Sequence, residues 1–424
     1  MKQMGPWLFA GPTEISCKWA LHISTRTKET IPLLEFLSQL KLENNFSFRV
    51  IKDQYANYNL NAGNYGYSET GKVVSIYLKS EDEIQHFCKL LEPLTSKFSG
   101  PVVPGSKFVG RNLYLTNNPP EGHSASKAKK KKNPRIIGSC NVITEIIRNA
   151  PKGAIYKGIC FKNFNFRECI IKQGLQNVLE DFLDRDIRTR LEWQARVLND
   201  LKGKANVPEV LGYYENNGDG YLVTEFLEGE LLTGKINGIY RTSAWNRLPL
   251  QFKVKVLDVF LKILHEIQKI HRHGYVHRDI QDNNILVKRD GSIYILDFEL
   301  SYSLKDKEPR MPFAIGTIGY MSKEQMYGAV PAAEEDIYSL GCLFCFCISG
   351  IHPREFVREK LSETLRVLKN YNLGGEIFSA IGSCLDKDPR RRISIERLID
   401  AVSAYKDEIQ SEKLSIQNKP AIAI

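Results

Sequence analysis

No stretch of this chain approaches the run of about eighteen apolar residues that a membrane-spanning helix requires, so no membrane span is expected. Met1 to Pro12 carry little positive charge and no apolar core of useful length, which argues against a secretory signal. The nine cysteines are odd in number and scattered, without the spacing of a disulfide framework, and suit reduced thiols in a cytoplasm. Three of them, Cys342, Cys345 and Cys347, lie inside the apolar stretch Leu340 to Ile348 and read as core side chains rather than metal ligands. No aromatic residues interleave with basic ones in the manner of a nucleic-acid surface, and no internal repeat is visible. The net charge of +10 is concentrated: Lys127 to Arg135, KAKKKKNPR, contributes six positive charges and no acid, so the other residues sum to only +4. Such a run is a solvated linker before it is a binding surface.

What is there is ordinary for a globular protein: 424 residues, 42% apolar and 25% charged, enough for two or three domains. Residues 117–135 lack hydrophobic periodicity and are expected to be a basic flexible linker. Globular parts are expected at 13–116 and 136–405, with a tail at 406–424. In the first part Trp19 to Ser24 alternates as a strand, with Ala20, His22 and Ser24 on one face. Thr30 to Leu40 has helical spacing, Phe46 to Ile51 and Lys72 to Leu78 are strand-like, and Ile84 to Leu94 is an amphipathic helix. A small α+β domain follows. The second part is strand-rich and turns helical after about Pro249.

The second part carries a phosphotransfer pattern. His277-Arg278-Asp279, with Asn284 five residues past the aspartate, matches a kinase catalytic loop. Asp279 would orient and deprotonate a substrate hydroxyl, and Asn284 would give an oxygen to magnesium. Thirteen residues on, Asp297 ends the strand-like Ile295-Leu296 and would bind the same phosphate-bridging magnesium. Upstream, Lys172 stands where a strand lysine meets the α and β phosphates, and Gly153 ends a phosphate-covering hairpin. Leu222 to Leu227, with Glu225, has the place of the segment whose backbone reads adenine. Downstream, Gly316 to Met321 resembles the end of an activation segment. Glu324 stands where an A-P-E glutamate would, with Arg392 as its partner, and Asp336 to Gly341 resembles the buried helix between them. Eight such features in order over roughly 240 residues are specific where each alone is weak.

The departures are as informative. Arg148 and Ala150 stand where the first two glycines of the hairpin belong. Gln194 takes the place of the glutamate that normally pairs with the strand lysine, Glu299 that of the DFG glycine, and Gln281 that of a common lysine.

Over residues 13–405 the chain resembles the N-terminal two domains of class III and IV lanthipeptide synthetases. In that family a phosphoSer/phosphoThr lyase domain precedes a kinase domain that often reads D-F-E, as Asp297-Phe298-Glu299 does here. The N-terminal likeness rests on Trp19-Ala20-Leu21-His22-Ile23-Ser24, Phe48-Arg49-Val50, Gly71 to Tyr77 and Phe98-Ser99-Gly100-Pro101. The resemblance implies an α+β chain with a small lyase-like domain ahead of a two-lobed kinase fold. It implies ATP- and Mg2+-dependent phosphorylation of Ser or Thr in a precursor peptide, then elimination of phosphate to a dehydroamino acid. His22 would be the acid at the leaving oxygen, and Arg49 and Lys72 would hold the phosphate. Ala20 stands where the family has its proton-abstracting lysine; Lys18 shares its strand face, and Arg111 is the nearest match to a late phosphate-binding arginine. No cyclase region follows, so a separate cyclase is the implied partner. Two alternatives stay open: a plain Ser/Thr protein kinase with an N-terminal docking domain for its peptide or protein substrate, and a pseudokinase regulator. Neither nucleic acid nor membrane is an expected partner, and the cytoplasm is the expected location.

Overall fold

The computed structural model describes residues 2–11, 17–39, 46–117, 135–162, 165–240, 244–313 and 316–417. The expected linker, Asn117 and Arg135 apart, lies outside them. The fold is α+β, and the chain divides into two compact units, Met1–Glu192 with Leu211–Glu225 and Trp193–Val210 with Phe226–Ile424.

The first unit opens with a fully antiparallel sheet of seven strands. These are β1 (Lys2–Met4), β2 (Trp7–Ala10), β3 (Trp19–Ile23), β4 (Ser47–Ile51), β5 (Val74–Leu78), β6 (Lys107–Gly110) and β7 (Leu113–Asn117). The order β1-β2-β4-β5-β3-β7-β6 puts β3 inside the sheet, between β5 and β7. The sheet thus takes in two strands ahead of residue 13, too short to announce themselves by alternation. Helices α1 (Thr30–Gln39), α2 (Gln54–Asn61) and α3 (Glu81–Thr95) connect the strands. Asp53 caps α2 by accepting from the Ala56 amide at 2.7 Å, and Ser80 caps α3 through Glu83 at 3.2 Å. Three acids in the first turn of α3 complement its dipole. Leu21, Ile23, Val74, Ile76, Phe87 and Leu91 form the core, so the opposite, polar face of β3 is left for His22.

A second antiparallel sheet follows in the same unit: β8 (Ile136–Ile137), β9 (Asn141–Arg148), β10 (Ile155–Lys162), β11 (Asn165–Gly174), β12 (Val210–Asn216) and β13 (Asp219–Glu225). Their order is β12-β13-β11-β10-β9-β8. The segment between β11 and α4 (Ile187–Leu201) ties the two sheets together. Arg26 reaches Glu180 at 3.4 Å, Lys28 pairs with Asp184, and Asn177 donates to the Gly100 carbonyl at 3.2 Å. Burial pushes the Glu180 carboxyl up to about 7 against the pull of Arg26.

The second unit is mainly helical, built on α5 (Leu232–Tyr240), α6 (Leu250–Arg272), α7 (Lys323–Met326) and α8 (Ala333–Ser349). The apolar run of α8 is the reason it lies in the middle of the core: Cys342, Cys345 and Cys347 are fully buried beside Leu340, Leu343 and Phe344. Gly350 ends it in the left-handed conformation, its amide bonded to the Phe346 carbonyl at 2.8 Å. The closing helix runs Ile395–Gln417. Leu398, Val402, Tyr405 and Ile409 form one buried stripe along it. Among the described residues no helix is long and apolar enough to cross a membrane.

Candidate active site

Two loops and a short strand end meet in the second unit. His277 to Asn284 follow α6, and their backbone is gripped from below by Asp336 of α8, which accepts from the His277 and Arg278 amides at 2.8 Å each. His271 donates to the same carboxylate at 2.8 Å. Burial alone would raise Asp336, but these partners hold it below the ordinary carboxylate range. Arg278 adopts a left-handed backbone (φ 66°), so its side chain turns into the core while Asp279 turns the other way.

The Asp279 carboxylate is set from both sides. Oδ1 accepts from Thr317 Oγ1 at 2.8 Å and the Thr317 amide at 3.1 Å; Oδ2 accepts from Asn284 at 2.9 Å and Gln281 at 3.1 Å. Gln281 also donates to Thr317 at 2.7 Å, which closes the network. Asn284 donates to the Asp279 carbonyl as well, at 2.9 Å, so both amide hydrogens are committed and Oδ1 remains as its coordinating atom. Asp297, with a positive φ of 61°, follows Leu296, whose carbonyl accepts from His277 Nε2 at 2.9 Å. Burial raises Asp279, Thr317 and His277 oppose this, and the Asp297 and Glu299 charges add to it, so the carboxyl stays above the ordinary range. Two hydrogen bonds join Asp279 to Asn284, and Asp297 lies near enough for its charge to raise the Asp279 carboxyl, so hard oxygen donors gather here. That set fits magnesium, which would complete its shell from phosphate and water. Among the described residues no group of three or more His, Cys, Asp or Glu is placed to hold a metal alone.

In the first unit Lys172 stands on β11 opposite Ile155 of β10 and Leu222 of β13. Gly153, two residues before Ile155, closes the β9–β10 hairpin at φ 138°, where an added Cβ would sit 2.0 Å from the Gln173 carbonyl oxygen. Only glycine lets the hairpin lie this close to β11. Glu225 ends β13 opposite Cys169, and the division between the units falls immediately after it. Gln194 is buried, and its Oε1 has no hydrogen-bond partner among the described residues.

The polar face of β3 gathers the other predicted cluster. His22 is hydrogen-bonded to Ser75 Oγ at 2.9 Å and Thr116 Oγ1 at 2.8 Å, and Arg49 donates to Ser75 at 3.4 Å. Glu69 bridges the two cations: it pairs with Arg49 and accepts from Lys72 at 3.1 Å. Arg49 also lies over the Trp7 ring, 4.1 Å from its centroid. Burial first, then Lys72 and Arg49, keep His22 well below 6.5, so the imidazole is neutral. Burial alone would raise Glu69, but Arg49 and Lys72 outweigh it and hold it ionised. Ala20 is completely buried; Lys18 is exposed, its Nζ 6.0 Å from the Trp19 ring centroid, and Arg111 is exposed in the β6–β7 turn. Glu69, Ser75, Thr116, Trp7 and Thr317 were missed as site residues. Only Glu69, three residues before Lys72, had a local signal.

This geometry defines the catalytic half of a two-lobed kinase fold. The protein kinase domain family matches residues 160–402, more than half of the chain, and the chain belongs to it. The family described as the RamC N-terminal domain matches residues 1–115. Among similar proteins, serine/threonine-protein kinase PknA of Nostoc sp. is 28% identical over 54% of this chain and 41% of its own length. Serine/threonine-protein kinase C of Synechocystis sp. is 31% identical over 44% of this chain and 35% of its own. Serine/threonine-protein kinase B of Synechocystis sp. is 24% identical over 58% and 44%. The chain thus spans less than half the length of each of these relatives.

Proposed function

We propose that the chain transfers the terminal phosphoryl group of Mg-ATP to a Ser or Thr hydroxyl of a peptide or protein. The observation that supports this reading is the Asp279–Asn284–Thr317 network with Asp297 beside it. The substrate hydroxyl oxygen attacks the terminal phosphorus, the bond to the ADP oxygen breaks, and Asp279 takes the hydroxyl proton. A carboxylate held above its ordinary range is a better acceptor for that proton. The nucleotide with its magnesium supplies the phosphoryl group and the charge neutralisation. Asn284 and Asp297 would hold the magnesium through their oxygens; Lys172 would meet the phosphates, Gly153 would serve the hairpin over them, and the backbone near Glu225 would serve adenine. The kinase-family match and the Ser/Thr kinases among the relatives support phosphorylation. A cytoplasmic site of action belongs to the same proposal.

The match to the RamC N-terminal domain supports a lanthipeptide-type substrate, a ribosomal precursor peptide. In our reading the N-terminal domain holds the phosphorylated residue through Arg49 and Lys72 in place of Glu69. A second reading, elimination of that phosphate, is favoured by the gathering of His22 with both cations. It lacks a base at Ala20 and needs a proton from an imidazole kept neutral. If it holds, ring closure falls to a separate cyclase. Mass spectrometry of a Ser-rich peptide after incubation with Mg-ATP separates them. Retained phosphate supports holding, loss of water supports elimination, and an unchanged mass refutes both.

A further inference from the structure

We infer that Glu335 is a positioning residue for Asp279, acting through Arg278 in the place that an activation-segment phosphate fills in regulated kinases; this rests on the phosphotransfer reading. An arginine beside the catalytic aspartate is a frequent anchor for such a phosphate, which orders the segment by a new charge-assisted contact. Here that position is already filled. Arg278 Nε donates to Glu335 Oε2 at 2.9 Å, with both side chains 1% exposed. Its Nη1 donates to the Leu300 carbonyl at 3.3 Å and the Phe313 carbonyl at 3.0 Å, so one guanidinium fastens both ends of the segment that follows Asp297. Gln325 of α7 donates to the Arg278 carbonyl at 2.7 Å, which carries the same bracing to the segment's far side.

The sequence of that segment points the same way independently. From Leu304 to Gly316 there is no Ser, Thr or Tyr. The hydroxyl residues on either side are buried or, for the half-buried Thr317, hydrogen-bonded. Ser301 and Ser303 are buried and donate to Phe298 and Asp306, and Tyr302 is buried. Thr317 bonds Asp279, and Ser322 caps α7. Among the described residues the segment therefore offers no exposed hydroxyl to phosphorylate, and the cation that a phosphate would meet has a partner supplied by α8. Glu335 is one residue from Asp336, so the same helix turn fixes the catalytic loop's backbone and its arginine. Catalytic competence is thus built in at folding rather than switched on by modification of this segment.

The full chain, before and after phosphatase, is assayed with Mg-ATP and a Ser-bearing peptide, beside Glu335→Gln and Glu335→Asp, and mapped for phosphate over 298–322. Wild-type kcat is expected to be unchanged by phosphatase, with no phosphate in that span. Glu335→Gln should lose about tenfold or more in kcat while the KM for ATP moves less than about threefold, and Glu335→Asp should recover part of the loss. Amide exchange over 300–313 should quicken in Glu335→Gln. A phosphatase-sensitive wild type, phosphate within 298–322, or a Glu335→Gln chain with wild-type kcat and exchange overturns the assignment. Should wild type transfer no phosphate, the phosphotransfer reading fails by itself, and the exchange comparison still decides whether Glu335 orders the segment.

Discussion

Asp336→Asn isolates the grip of α8 on the catalytic loop. The carboxylate is completely buried and accepts three hydrogen bonds of 2.8 Å: one from the Arg278 amide on Oδ1, and two from the His277 amide and His271 on Oδ2. Asparagine keeps the shape but has one oxygen. Whichever way the amide is turned, its NH2 group faces at least one N–H donor, and that buried donor loses its partner. A hydrogen bond to a charged group is worth roughly 1.5–3 kcal/mol, and breaking one side of a buried charged cluster costs about 3–5 kcal/mol. Against a whole stability of about 5–15 kcal/mol, this should lower Tm by roughly 6–20 °C, read by calorimetry or circular dichroism. The pH dependence has a definite sign. Asp336 is held below its ordinary value of 3.8. Its contribution is therefore full above that value and lost only as pH falls through the lower folded value. A variant melting within about 2 °C of wild type would refute the reasoning. So would a gap that already closes between about pH 7 and pH 5.

Other substitutions probe the two remaining clusters. Gly153→Ala should destabilise the first unit by more than about 1 kcal/mol and weaken binding of an ATP analogue by calorimetry, because its Cβ meets the Gln173 carbonyl. Glu69→Gln should raise the affinity for phosphoserine about tenfold, ~1.4 kcal/mol, by removing the anion that occupies Arg49 and Lys72. Weaker binding would contradict the phosphate assignment. The His22 imidazole should protonate only well below 6.5 in an NMR titration, because burial and two cations oppose its charge. Titration at the ordinary value would mean the cluster is open to water.

The kinase half was legible because its chemistry constrains spacing within short segments. The distance from Asp279 to Asn284 is set by one loop, and the structure joins them by two hydrogen bonds. The expected pairing of Arg392 with Glu324 is present, at 2.5 and 3.0 Å, because both ends sit on motifs that flank α8. Less was legible where partners come from far apart with no periodic signal. Thr116 reaches His22 across 94 positions, and that contact depends on the register of β3 with β7, which no local pattern states. β1 and β2 are three and four residues long, too short for alternation to be read. Glu335 is one of three acids in the first turn of α8, and its burial and its pairing with Arg278 set it apart from Glu334. The resemblance singles out His22, Arg49 and Lys72 but not Glu69, whose spacing to Lys72 is a local signal while its pairing with Arg49 depends on the fold.

The central claim is phosphoryl transfer at Asp279, and the direct measurement follows γ-labelled ATP into a Ser-bearing peptide with wild type and Asp279→Asn in parallel. Wild type should place label on a Ser or Thr side chain, and the asparagine variant, which keeps the contacts of one oxygen but cannot take the proton, should lose about a thousandfold or more in kcat. Equal transfer by both chains, or none by either while ATP still binds, would contradict it.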